Sequence, residues 1–190
     1  TQVTADLTIK WLEEIRDTEK PFMLMMHNKA PHRPWQPDIQ DLGAYDNTDF
    51  PIPPNFYDDY KGRKAAELQE MSIAADMTLD RDLKMGFDWT ARMSEPEREA
   101  WNTYYDSVQT EFEALHLSGN ELAEWKYQRY MRDYLGCINS VDRNVGRVLN
   151  WLEENGLLEN TIIIYTSDQG FYMGEHGWFD KRFMYEESFR

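Results

Sequence analysis

The stretch Thr161-Ile162-Ile163-Ile164-Tyr165-Thr166-Ser167-Asp168-Gln169-Gly170 is a β-branched, apolar run that stops abruptly at Ser-Asp-Gln-Gly. Led in by Asn155-Gly156 and closed by Gly170, it reads as a buried strand over 161–166. In an open α/β sheet, ligands sit beyond the carboxyl ends of the strands, where Asp168 and Gln169 fall. A carboxylate beside an amide oxygen offers two hard oxygen donors of the kind calcium takes. Lys181, further along, is a point charge suited to an oxyanion. By itself, Ser-Asp-Gln-Gly reads first as an ordinary turn, since Asp and Gly favour turns.

Upstream of this strand the chain reads as a long helix. Asn120 is its expected N-cap, and Tyr134, Ile138, Val141, Val145, Val148 and Leu152 step by three and four, with Asn155-Gly156 as the stop. Ser94-Glu95-Pro96-Glu97 is a capping box opening another helix that runs to about Leu115, with His116 placed as a C-cap or surface residue. Residues 4–17 read as a first helix with Thr4 as cap and Ala5, Ile9, Leu12 and Ile15 on its apolar face. Phe22 to Met26 then reads as a second buried strand, delivering the Pro-broken loop from His27 to Trp35. Helix-then-strand order at both ends is the α/β signature.

Residues 36–60 read as loop, because Pro37, Gly43, Pro51, Pro53 and Pro54 interrupt regular structure. A loop of this length is usually functional. Its aromatics (Tyr45, Phe50, Phe56, Tyr57, Tyr60) either line a sugar-binding rim or pin the loop to the body. Residues 61–90 read as partly helical.

The 190 residues suffice for one domain with a core, and 41% hydrophobic content excludes a disordered chain. No apolar run is long enough for a transmembrane helix. A formal net charge of −15 argues against a nucleic-acid partner. It also means that an anionic ligand must be held by local positive groups rather than by the overall field. The single cysteine, Cys137, forms no disulfide within the chain and reads as an inert buried thiol.

Three blocks follow one another at the C-terminal end: Ser167-Asp168-Gln169-Gly170, Gly174-Glu175-His176-Gly177 and Asp180-Lys181-Arg182-Phe183-Met184-Tyr185-Glu186. Near the other end stands Ala30-Pro31-His32-Arg33-Pro34-Trp35. In content and order these resemble the histidine motif and the calcium- and sulfate-binding segment of sulfatases of the alkaline-phosphatase-like superfamily. The resemblance covers most of the chain. It is nearest to N-acetylglucosamine-6-sulfatases and related glycosaminoglycan- or mucin-desulfating enzymes.

The resemblance implies an α/β, alkaline-phosphatase-like three-layer sandwich, with helices on both faces of a mostly parallel sheet. Residues 1–190 would be the central part of the catalytic domain. An N-terminal segment would carry a Cys/Ser-x-Pro-x-Arg motif and further acidic metal ligands, and a C-terminal subdomain would complete the fold. The nucleophile, a formylglycine made from that Cys or Ser, would thus lie outside this chain. Cys137, in Gly-Cys-Ile-Asn-Ser, has no Pro or Arg at the required places, so the chain alone is expected to be inactive.

The resemblance also implies roles. Asp168 and Gln169 would hold calcium. Lys181 would neutralise charge on the sulfuryl oxygens, and His32 would protonate the leaving alkoxide. His27, Lys29, Arg33, Trp35, His176 and Tyr185 would contact the substrate. For His176, structural hydrogen bonding is the equal alternative. The expected partner is a sulfated carbohydrate, and the expected location is periplasmic, secreted or lysosomal. Two alternatives stand beside this reading: a phosphodiesterase or phosphonate monoester hydrolase of the same superfamily, and a non-catalytic binder of sulfated glycans.

Overall fold

The computed structural model describes residues 1–189. Helix α1 (Gln2–Lys10) runs into a π-helical turn (Trp11–Ile15). A single short turn of helix, α2 (Lys64–Glu67), follows the long loop, and then come α3 (Glu95–Leu115) and α4 (Gly119–Glu154). Two short antiparallel strands close the chain, β1 (Tyr172–Met173) and β2 (Phe179–Asp180), with Tyr172 opposite Asp180 and Met173 opposite Phe179.

Local chemistry sets the helix boundaries. Ser94 and Glu97 form the reciprocal capping box, with Glu97 Oε2 accepting from the Ser94 amide at 2.8 Å. His116 ends α3 in the left-handed conformation at φ 50°. The 36-residue α4 ends at Asn155, and Gly156 takes φ 66°. α1 begins three residues earlier than expected and packs on α4, tied by Arg147 to Asp6 at 2.6 Å and by Trp151 to Glu13 at 2.8 Å.

The buried face of α4 differs from the expected stripe. It carries Ala123, Tyr127, Tyr130, Cys137 and Val141, interleaved with Asp133, Ser140 and Asn144. Tyr134, Ile138, Val145 and Val148 are only half-buried. The polar members are admitted because each has a buried partner. Asp133 accepts from Lys84 Nζ (2.8 Å) and Arg129 Nη2 (2.6 Å), and Ser140 donates to Asp41 (2.8 Å).

Residues 22–26 and 161–166, expected as buried strands, make no strand pairing among the described residues. In 161–166 the apolar side chains face outward, Ile162 being 89% and Ile164 80% exposed. A strand needs neighbouring backbone for its ladder, and no described residue supplies it to either segment. Residues 161–166 also lack cover for their faces, whereas 22–26 has one face half-buried, with Phe22 on Trp11 (6.1 Å). The one sheet observed is the β1–β2 hairpin, which the sequence reading missed. It is too short to show alternation, and its turn is specified by Gly174 (φ 102°) and Gly177 (φ 70°).

The main core gathers Trp35, Phe56, Ile73, Met77, Leu83, Tyr127, Tyr130 and Phe179 around α4. The aromatics of the 36–60 loop pin it to this body. Phe56 packs on Tyr127 (centroids 5.4 Å apart), the Tyr45 hydroxyl donates to Asn139 (2.8 Å), and Tyr60 stacks on Trp178 (5.4 Å). No described helix is long and apolar enough to cross a membrane.

Candidate active site

The β1–β2 hairpin is anchored from three sides. The Tyr130 hydroxyl of α4 donates to the Tyr172 carbonyl at 2.8 Å, the Phe179 amide donates to Met71 O at 3.0 Å, and the Ile73 amide donates to Gly177 O at 2.8 Å. Gly177 cannot be otherwise, because a Cβ there would stand 2.6 Å from Phe56 O. A Cβ on Gly174 would meet the Tyr127 ring at 2.5 Å. The hairpin therefore presents Asp180 and Lys181 from a fixed base.

The histidine block meets this hairpin. Trp35 packs edge-on against Phe179 (5.9 Å) and Phe171 (6.2 Å). The Arg33 guanidinium lies 4.8 Å from the Phe179 ring centroid, and its Nη1 lies 4.0 Å from Asp180 Oδ2. The same guanidinium donates side-on to Asp82, at 2.5 Å from Nε and 2.7 Å from Nη2. The peptides before Pro31 and Pro34 are cis.

Of the residues expected at the site, His27, Lys29 and His32 are exposed and Lys181 is half-buried. Neither Lys29 nor Lys181 has an ion-pair partner among the described residues. In a chain of net charge −15, these are available cations. The His32 Nδ1 bonds the Arg33 carbonyl at 2.6 Å, which orients the ring and leaves Nε2 without a hydrogen bond among the described residues.

Trp35 has no exposed surface and anchors the core instead of facing a ligand. His176 is turned inward. Its Nδ1 lies 2.7 Å from Asp58 Oδ2, its Nε2 lies 3.6 Å from Glu187, and its ring meets Tyr185 at 5.3 Å. Burial pushes the Asp58 carboxyl up, and the hydrogen bonds from Arg63 and His176 more than offset it, holding it at about 2. Structural hydrogen bonding holds Nδ1 of His176 on Asp58, and the Asn55 side-chain amide lies 3.4 Å from Nε2.

Asp168 is exposed, and its carboxylate makes no hydrogen bond or ion pair among the described residues. Gln169, half-buried, bonds only through its backbone to Ser167 (3.3 and 2.6 Å). No bond joins either residue to His32 or Lys181. Two free oxygen donors side by side match the type of ligand calcium takes, but calcium takes six to eight. The described residues hold no group of three or more His, Cys, Asp or Glu able to grip a metal. Cys137 is buried, and burial pushes its thiol up to about 12, so it is no nucleophile.

The buried ion pair Lys84–Asp133 and the half-buried pair Arg33–Asp82 were not foreseen from the sequence. Their partners stand 49 residues apart, and no local pattern announces them.

The sulfatase family model matches residues 1–190. This chain belongs to the sulfatase family. It is 50% identical to an N-acetylglucosamine-6-O-sulfatase of Bacteroides thetaiotaomicron, covering 98% of this chain and 36% of that protein. It is 30% identical to an arylsulfatase of Clostridium perfringens over 92% of this chain and 27% of that protein. A solved structure described as in complex with its substrate D-glucosamine-2-N,6-O-disulfate superposes with a TM-score of 0.91 at 50% identity, covering 99% of this chain and 41% of that one. The chain thus has the fold of the corresponding part of an alkaline-phosphatase-like sulfatase, and it spans about a third of the length of the curated relatives it matches.

Proposed function

We propose that residues 1–190 are the central part of the catalytic domain of a sulfuric ester hydrolase acting on O-sulfated carbohydrate, of the N-acetylglucosamine-6-sulfate type. Support comes from the family and from relatives whose names and bound substrate are those of sulfated-glucosamine enzymes. The observation that carries the reading is the unpaired Lys181 ammonium on a hairpin that Arg33 joins to the His32 loop.

In this reading Lys181 draws charge from the sulfuryl oxygens, and His32 gives its proton to the departing sugar oxygen. His27, Lys29 and Tyr185 shape the sugar side of the pocket. Asp168 and Gln169 would supply two of the oxygen ligands of a calcium ion, whose charge would offset that of the sulfate. Formylglycine, made from a residue outside this chain, supplies the nucleophile. The unpaired segments 22–26 and 161–166 would pair with the rest of the sheet. The location follows the relatives: periplasmic, secreted or lysosomal.

The test is sulfate release by the full-length protein from 6-sulfated N-acetylglucosamine, with a phosphate diester as comparison. Release from the sulfate ester supports the reading. Preference for the diester favours a phosphodiesterase of the same superfamily. Binding of the sulfated sugar without turnover favours a non-catalytic relative.

A further inference from the structure

We infer that Arg33 is a positioning residue, clamped by Asp82 and Asp180, that sets the His32 loop against the Lys181 hairpin. The inference rests on the sulfate-ester reading and goes beyond it, because it removes Arg33 from the groups that bind substrate.

The geometry is that of a bracket. One edge of the planar guanidinium is taken by both oxygens of Asp82, at 2.5 and 2.7 Å. Asp82 is itself 1% exposed and is held by the Thr78 amide (2.8 Å) and hydroxyl (3.2 Å). The remaining nitrogen, Nη1, faces Asp180 at 4.0 Å, and the flat face covers Phe179. Asp180 is fully buried at φ 71°, and its Oδ1 has no hydrogen-bond partner among the described residues. A buried carboxylate left half-satisfied needs a nearby cation. Arg33 and Arg182, whose Nε lies 2.8 Å from Asp180 Oδ2, provide that charge.

The bracket's two ends adjoin the two groups assigned to the chemistry. His32 precedes Arg33 and bonds its carbonyl, so fixing the Arg33 side chain fixes the oxygen that aims the imidazole. Lys181 follows Asp180. One side chain thereby links the proton donor to the sulfate anchor. Displacements of about 1 Å in such a pair cost on the order of a hundredfold in rate. Lysine cannot replace this arginine, since an ammonium cannot bond side-on to a carboxylate and lie flat on a ring.

The experiment uses the full-length protein, with an aryl sulfate and 6-sulfated N-acetylglucosamine as substrates. Arg33→Lys and Asp82→Asn are compared with wild type, singly and together, with a melting curve on each. Asp82→Asn touches no substrate and turns an acceptor edge into a donor facing the guanidinium. The expected result is a kcat loss of about ten- to a hundredfold on both substrates for either variant, with KM within about threefold. The double variant should be no worse than the poorer single one. If Arg33→Lys does not fold, Asp82→Asn alone decides. Wild-type kcat in Asp82→Asn, a KM rise confined to the sugar sulfate in Arg33→Lys, or additive losses would overturn the inference while the sulfatase reading stands. A wild-type protein that turns over neither substrate overturns that reading, and the positioning role falls with it.

Discussion

The imidazole of His176 is bound through Nδ1 to the carboxylate of Asp58, 2.7 Å away and 118 residues earlier in the chain. The pair fastens the long proline-rich loop to the turn of the β1–β2 hairpin. The Tyr60 hydroxyl reinforces it by donating to the His176 carbonyl at 2.5 Å, and Arg63 bonds the other Asp58 oxygen, Oδ1.

This arrangement makes stability depend on acid. The Asp58 carboxyl sits at about 2 when folded, below the ordinary value of about 3.9 in an unfolded chain. A depressed carboxyl contributes stability that is fully present above the unfolded value and is lost as pH falls through the folded one. The melting temperature should therefore decline from about pH 4 towards pH 2. Asp41, also held low against burial by Arg143 and Ser140, adds to the same decline. Asp58→Asn isolates the Asp58 share: its curve should fall less steeply in that window, and an identical slope would discount the pair.

Gly177 provides a steric test. Gly177→Ala places a Cβ 2.6 Å from the Phe56 carbonyl oxygen at φ 70°. Strain and clash together should cost more than about 2 kcal/mol. Gly86→Ala, at φ 106° with no atom within 4 Å, is the control for strain alone. Equal denaturant midpoints for the two variants would remove the close approach as the reason for glycine.

The buried pair Lys84–Asp133 should be costly to break from one side. Both side chains are fully buried, 2.8 Å apart. Lys84→Met leaves Asp133 with Arg129 and the Tyr105 hydroxyl, and should cost about 3 kcal/mol. Chemical denaturation measures it, and a loss below about 1 kcal/mol would show that Arg129 and Tyr105 together suffice.

Calcium is tested at Asp168. In the full-length protein, Asp168→Ala removes a charged ligand and should weaken calcium binding strongly, by calorimetry. Unchanged affinity would exclude Asp168 from the site.

His32 and Lys181 are separated by leaving group. In the full-length protein each alanine variant should lose on the order of 10² in kcat/KM on the sugar sulfate. With an aryl sulfate, whose leaving group needs little protonation, the His32→Ala loss should shrink and the Lys181→Ala loss should persist. Equal His32→Ala losses on both substrates would exclude it as the leaving-group acid.

What the sequence determined by itself is what depends on neighbours along the chain. The Ser94–Glu97 capping box, the stop at Asn155-Gly156 and the left-handed His116 cap are contacts within a few residues, so their signals survive in one dimension. The motif blocks are local too, and they marked the family. Tertiary structure decided the rest. It put Trp35 in the core, turned His176 inward to Asp58, committed Arg33 to Asp82, and chose an α4 face containing Asp133 and Ser140 rather than Ile138 and Val148. Trp35 is held by ring packing on Tyr130 and Phe179, and each of the polar outcomes depends on a partner dozens of residues away that compensates a buried or half-buried polar group. Hydrophobic periodicity carries no record of that partner. The same reason explains residues 161–166: their sequence prefers an extended form, but a strand becomes a strand only when another backbone meets it.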